Sequence, residues 1–156
     1  MKTAEDILND KKHEQIITIA ADQTIAAAVD RMNRHNIGAI LIERGDKIIG
    51  IWTERDLLRA MGRPGFDPRT ATVSEHMKTH LHSAQHDTPV DQLEEMFVGL
   101  FIRHVLIKKQ DRFIGLLSIG DVLRASLLEK DQQIKKLNAI ASWQYYENWG
   151  WDRKKR

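Results

Sequence analysis

Gly50-Ile-Trp-Thr-Glu-Arg-Asp56-Leu-Leu-Arg59-Ala60 recurs further along the chain as Gly115-Leu-Leu-Ser-Ile-Gly-Asp121-Val-Leu-Arg124-Ala125. In both copies an apolar stretch meets a hydroxyl residue, an Asp follows three residues on, and a helical pattern begins. Upstream, Thr24 and Met32 recur at Thr88 and Met96 with an offset one residue shorter, so one extra residue lies between Met96 and Ile102. A duplicated unit of this length predicts two half-domains that bury each other's apolar faces and create paired sites between them.

Working outward, residues 4–9 read as a short helix and Ile16–Ile19 as a strand. Thr24 is a helix N-cap, and in the following Ile25–Asn33 helix Ile25, Ala28, Val29 and Met32 share one face. Gly38–Ile42 is a buried strand, Gly45-Asp46 a turn, and Lys47–Trp52 the hairpin partner. Thr53 then caps a helix over Glu54–Met61. Gly62-Arg-Pro-Gly-Phe-Asp-Pro68 is a linker, rich in Gly and Pro. The order repeats with a helix at Val73–Met77, a strand at Leu81–Ala84 and a helix that starts at Pro89 and reaches about Gly99. Strands at Arg103–Ile107 and Phe113–Leu117 flank a turn at Gln110-Asp111, and Ser118 caps a helix from Ile119 to about Leu128. The expected fold is therefore α/β, two pseudo-symmetric repeats over residues 1–65 and 66–128, neither with a sufficient core alone. Residues 129–156 form a C-terminal helix and an aromatic, basic tail holding Trp143, Tyr145, Tyr146, Trp149 and Trp151. Those rings pack either on their own domain or on another subunit.

Hydrophobic residues are 42% and charged residues 29% of the 156, an ordinary soluble composition with a net charge of +2. Much of the excess positive charge sits in Arg153–Arg156, a solvated tail rather than the basic stripe of a nucleic-acid binder. No apolar run approaches the roughly 20 residues of a membrane span, and Met1–Asp6 lacks a signal-peptide core. The absence of cysteine excludes disulfides and thiolate chemistry and fits a cytoplasmic protein. His80, His82 and His86 do not reach the ligand set of a zinc site, and no catalytic motif is present, so no metal and no catalytic residue is assigned.

Thr53-Glu-Arg-Asp56 and Ser118-Ile-Gly-Asp121 have the spacing of a helix capping box, in which hydroxyl and acid satisfy backbone N–H groups reciprocally. The same geometry sets a hydroxyl and a positive helix end at the tip of a buried strand, where an anion binds. An Asp one turn in has two acceptor oxygens, which suit the vicinal hydroxyls of a ribose. Both readings, cap and ligand site, stay open on spacing alone.

Residues from about 4 to 128 resemble a tandem pair of cystathionine-β-synthase (CBS) domains, a Bateman module. The resemblance rests on Thr3-Ala-Glu-Asp-Ile-Leu8 and Thr72-Val-Ser-Glu-His-Met77, on Ile37-Gly-Ala-Ile-Leu-Ile42 and Ile102-Arg-His-Val-Leu-Ile107, and on the two Gly-x-x-Thr/Ser-x-x-Asp segments. It implies a regulatory module, not an enzyme, that binds an adenosyl ligand (AMP, ADP, ATP, NAD or S-adenosylmethionine) in clefts shared by the two repeats. It also implies a homodimer. The output of such a module is expected to pass to a separate client protein or through the aromatic C-terminal tail, and the charge and hydropathy patterns assign no nucleic-acid or membrane partner. Carried over by residue, the first cleft uses Ser118 toward phosphate and Asp121 on the ribose, with Thr18, Ile37, Gly38 and Ala39 holding the adenine. The second uses Thr53 and Asp56, with His82, Ser83, Ile102 and Arg103 opposite. Arg103, His104 and Arg55 are the expected phosphate partners, with Lys12 and His13 as weaker candidates. Bulky His82 and Arg103 stand where the first cleft has Thr18 and Gly38, so unequal clefts are expected. A scaffold whose boxes merely cap helices, and a nucleotide hydrolase, are the alternatives.

Overall fold

The computed structural model describes residues 1–11 and 16–152, with side chains described through residue 141. Lys12, His13 and Arg153–Arg156, and the side chains of the aromatic tail, lie outside the described residues. The elements run α1 (Ala4–Asp10), β1 (Thr18–Ala20), α2 (Ile25–His35), β2 (Ala39–Arg44), β3 (Lys47–Thr53), α3 (Glu54–Met61), α4 (Val73–His76), β4 (Ser83–Gln85), α5 (Val90–Gly99), β5 (His104–Lys109), β6 (Arg112–Ser118) and α6 (Ile119–Asp152).

They form two three-stranded sheets of identical topology, β1-β2-β3 and β4-β5-β6. In each, the first strand is parallel to the second and the second and third form an antiparallel hairpin. Even the irregularity is duplicated: the ladder shifts between Ile42 and Glu43 in one hairpin and between Ile107 and Lys108 in the other. Such a bulge bends and twists the strand that carries it. The turns differ in chemistry. Gly45 takes φ 59° in the first, whereas Gln110 and Asp111 take φ 48° and 61° in the second, the paired left-handed conformation that matches strand twist in a tight hairpin.

The caps expected at Thr24 and Thr53 are in place: Ala27 N donates to Thr24 Oγ1 at 3.2 Å and Asp56 N to Thr53 Oγ1 at 3.3 Å. β1 and β4 begin at Thr18 and Ser83, later than the apolar runs that suggested them. The last helix is continuous through 34 residues and does not fold back. At 1.5 Å per residue it is about 50 Å long. No helix among the described residues is long and apolar enough to cross a membrane.

Each half borrows its first helix from outside its own sheet. Ala4 and Ile7 of α1, 0% and 3% exposed, complete the core that Val90, Leu93, Phe97, Val105, Ile107 and Leu117 build around the second sheet. Ala4 N and Glu5 N donate to Thr88 O and His86 O, both at 2.9 Å, which fixes α1 on that half. In exchange, Val73 of α4 is fully buried among Ile19, Ile25, Ile40, Ile42 and Trp52 of the first half. Val73 N donates to Gln23 O at 2.9 Å, and Ile51 and Lys78 exchange backbone hydrogen bonds at 2.9 Å. A glycine accommodates each visitor. A Cβ on Gly50 would fall under 3.0 Å from Met77, and one on Gly115 under 3.0 Å from Leu8.

Because α1 completes the second core, Ile7→Ala should destabilise the whole chain by about 2–5 kcal/mol. Urea unfolding should show a lower midpoint with an unchanged slope. An unaltered midpoint would mean that α1 does not pack there.

Candidate functional site

The exchange sets the two halves against each other across a cleft of about 860 Å³. One wall is Ile16, Ile17 and the run Ile37-Gly38-Ala39 leading into β2. The other is Ser118 and Asp121 at the β6–α6 junction, with His104 and Arg124, and Lys11 enters from the end of α1. Both halves thus contribute. Ile37, Gly38, Ala39, Ser118 and Asp121, assigned from sequence to one cleft, line it together. Thr18 does not stand among the lining residues. Ile17 lines the cleft instead, and the Thr18 carbonyl accepts from the Arg31 guanidinium at 2.5 Å.

Asp121 Oδ2 accepts Ser118 N and Ser118 Oγ, each at 2.8 Å, and Lys11 Nζ at 2.9 Å. Asp121 N returns the bond to Ser118 Oγ at 3.3 Å. The capping box is real, and among the described residues the three contacts to the carboxylate fall on one oxygen. Burial raises the Asp121 carboxyl, but the Ser118 and Lys11 hydrogen bonds together outweigh it and hold the group below its usual range. His104 lies across the ladder from Ser118. Burial, and then the positive charge of Arg103, hold its imidazole below the ordinary value. Both influences weaken the positive charge that the ring can offer a phosphate. At Gly38 the Glu54 carboxylate comes to 3.2 Å from where a Cβ would stand, so the backbone is open only as far as a flexible carboxylate.

The second set is built differently. Asp56 Oδ2 accepts Thr53 N at 3.1 Å and Thr53 Oγ1 at 2.7 Å, while Lys78 Nζ lies 2.9 Å from Oδ1. Both oxygens are engaged and the side chain is 7% exposed. Burial raises Asp56, and Lys78 with Thr53 lowers it by more. The strand registers, Thr18 opposite Leu41 and Ser83 opposite Leu106, make Ser83 the counterpart of Thr18. His82 corresponds to Ile17, which corrects the pairing of His82 with Thr18. His82 gives its carbonyl to Leu106 N at 2.9 Å and sets its ring edge-on to His80, centroids 4.7 Å apart. Ile102 packs on the second core, and exposed Arg103 gives its carbonyl to Ile119 N at 3.0 Å. Arg55 is exposed on α3. Another cleft, about 360 Å³, lies at the linker between Arg63 and His76 and contains none of this second set. Among the described residues no three His, Cys, Asp or Glu side chains converge as a metal site.

Sequence reasoning missed Lys11, Lys78 and Arg124. Arg124 carried a signal, since it recurs with Arg59 inside the repeat. The lysines carried none, because each meets its Asp only through the helix exchange.

The CBS domain family model matches residues 4–63 and 73–128. The mitochondrial CBS domain-containing protein CBSX3 of Arabidopsis thaliana is 33% identical over 123 residues, covering 76% of this chain and 60% of that protein. The CBS domain-containing protein YhcV of Bacillus subtilis is 32% identical over 118 residues, covering 74% and 81%. The crystal structure of the CBS-domain containing protein ATU1752 from Agrobacterium tumefaciens superposes with a TM-score of 0.74 at 33% identity, covering 80% of this chain and 99% of that one.

Both carboxyls sit below their usual value of 3.8 in the folded chain. The stability they contribute is complete above that value and lost as the pH falls through their folded values. The melting temperature should therefore drop as the pH is lowered below about 4. A D56N/D121N double variant should show a shallower drop over the same interval, and an identical acid profile would contradict these ion pairs. The duplicated fold, the two family matches and the paired hydroxyl–acid junctions identify the chain as a tandem pair belonging to the CBS domain family.

Proposed function

We propose that this CBS pair is a regulatory module that binds one adenine nucleotide per chain, in the cleft between Ile37–Ala39 and Ser118–Asp121, without transforming it. The observation that carries the reading is the asymmetry of the two carboxylates. Among the described residues the contacts to Asp121 gather on Oδ2, which leaves Oδ1 to take sugar hydroxyls beside an open cleft. On Asp56 both oxygens are engaged by the protein itself. The cleft volume falls within the range of small-molecule sites, and its apolar wall of Ile16, Ile17 and Ile37 suits a flat base. AMP, ADP, ATP and NAD share the adenosine that these features address.

Pairing of two copies belongs to the same reading. Leu58 on α3 and Leu123 on α6 occupy equivalent positions in the repeat and are 74% and 53% exposed. Leu127, Ile134 and Leu137 extend that exposure along α6. A second copy offers the same leucines, so a two-fold pairing sets like against like. Ligand binding then shifts a conformational equilibrium in proportion to its differential affinity for the two states, and a separate client protein reads the shift. The scaffold reading has its own support in the completeness of both capping boxes.

Native mass spectrometry with added AMP, ADP, ATP and NAD tests the reading. The wild type should appear as a dimer with one nucleotide per chain. D121A should bind about tenfold more weakly or worse, the loss expected of a hydrogen bond to a charged group. D56A, held below its unfolding transition, should keep wild-type occupancy. No occupancy with any nucleotide would favour the scaffold.

A further inference from the structure

We infer that Lys11 is the residue by which this cleft separates phosphorylated from unphosphorylated nucleosides; the inference rests on the nucleotide reading above. Lys11 is the C-cap residue of α1, and α1 is pinned to the second half by buried Ala4 and Ile7 and by Leu8 against Gly115. The ammonium is thus delivered to a defined place, 2.9 Å from Asp121 Oδ2 and 3.4 Å from the Leu116 carbonyl. Among the described residues that line the cleft, Lys11 and Arg124 are the Lys and Arg side chains and Asp121 the carboxylate. Removing Lys11 would take one of these two cations from the side of the cleft where a phosphate would lie.

The pair with Asp121 is half-open, with side-chain exposures of 23% and 22%. A partly solvated pair of this kind holds its partner weakly. The long lysine stem lets the ammonium turn to a phosphate while the carboxylate keeps its Ser118 hydrogen bonds. Lys78 is itself 54% exposed, but it engages the oxygen of Asp56 that the capping box leaves over, on a carboxylate only 7% exposed. The difference between the two pairs therefore lies in the carboxylate, closed at Asp56 and open to the cleft at Asp121.

Isothermal titration of adenosine and AMP into wild type, K11M and K11R at low ionic strength tests the assignment. K11M should lose about tenfold in AMP affinity, the scale of a charge-assisted contact. Its adenosine affinity should stay within about twofold of wild type, since no phosphate contact is made. K11R should keep the preference for AMP, and its ligand-free melting temperature provides a folded control that retains the charge. The assignment is overturned if K11M loses adenosine and AMP equally, because Lys11 then only positions Asp121. It is also overturned if the AMP-to-adenosine ratio does not change. Wild-type protein that binds neither compound would instead sink the nucleotide reading itself, a distinct outcome.

Discussion

The structure turns on a three-part junction: a hydroxyl at the end of a strand, an Asp one turn into the next helix, and a lysine just past the end of a helix that belongs to the other half's sequence. Ser118, Asp121 and Lys11 make it once; Thr53, Asp56 and Lys78 make it again. The hydroxyl and Asp satisfy backbone groups at a helix start that would otherwise be unpaired. The lysine offsets the cost of a partly buried carboxylate. One small cluster thus fixes the strand-to-helix turn, ties down the exchanged helix and determines which carboxylate oxygens remain for anything else.

Duplication does not make the two junctions equivalent. The chain that follows α4 pairs with β3, through reciprocal Ile51 and Lys78 backbone bonds, and so lays Lys78 directly over Asp56. Among the described residues α1 makes no such backbone pairing with β6; it touches it through Leu8 against Gly115 and through Lys11. The side of the molecule reached by α1 is therefore the one that holds the cleft of about 860 Å³. The two visiting helices also end differently, and with them the engagement of the two carboxylates.

Local rules made most of the fold legible. Caps at Thr24, Thr53 and Ser118, the hairpin turns and the repeat itself are encoded within a few residues of where they act. The same locality brought Ile37, Gly38, Ala39, Ser118 and Asp121 to one cleft, since each sits at an element end that the repeat marks twice. What was not legible is long-range. Nothing near Ala4 says that it will be buried beside Val90 and Leu93, and nothing near Lys11 names Asp121 as its partner. Thr18 illustrates a smaller failure. An apolar run suggests a strand, but only pairing with Leu41 fixes its register, and a one-residue change exchanges the side chain that meets the cleft. The lowering of the His104 imidazole is likewise long-range, because it depends on burial and on Arg103 together.

The decisive question is where a nucleotide's sugar rests. A crystal structure of the chain grown with AMP should show one ligand per chain, its ribose hydroxyls on Asp121 Oδ1 and its base along Ile37–Ala39, with Asp56 still closed by Lys78. A nucleotide seated at Asp56, or one in the open cleft with its ribose turned away from Asp121, would contradict it.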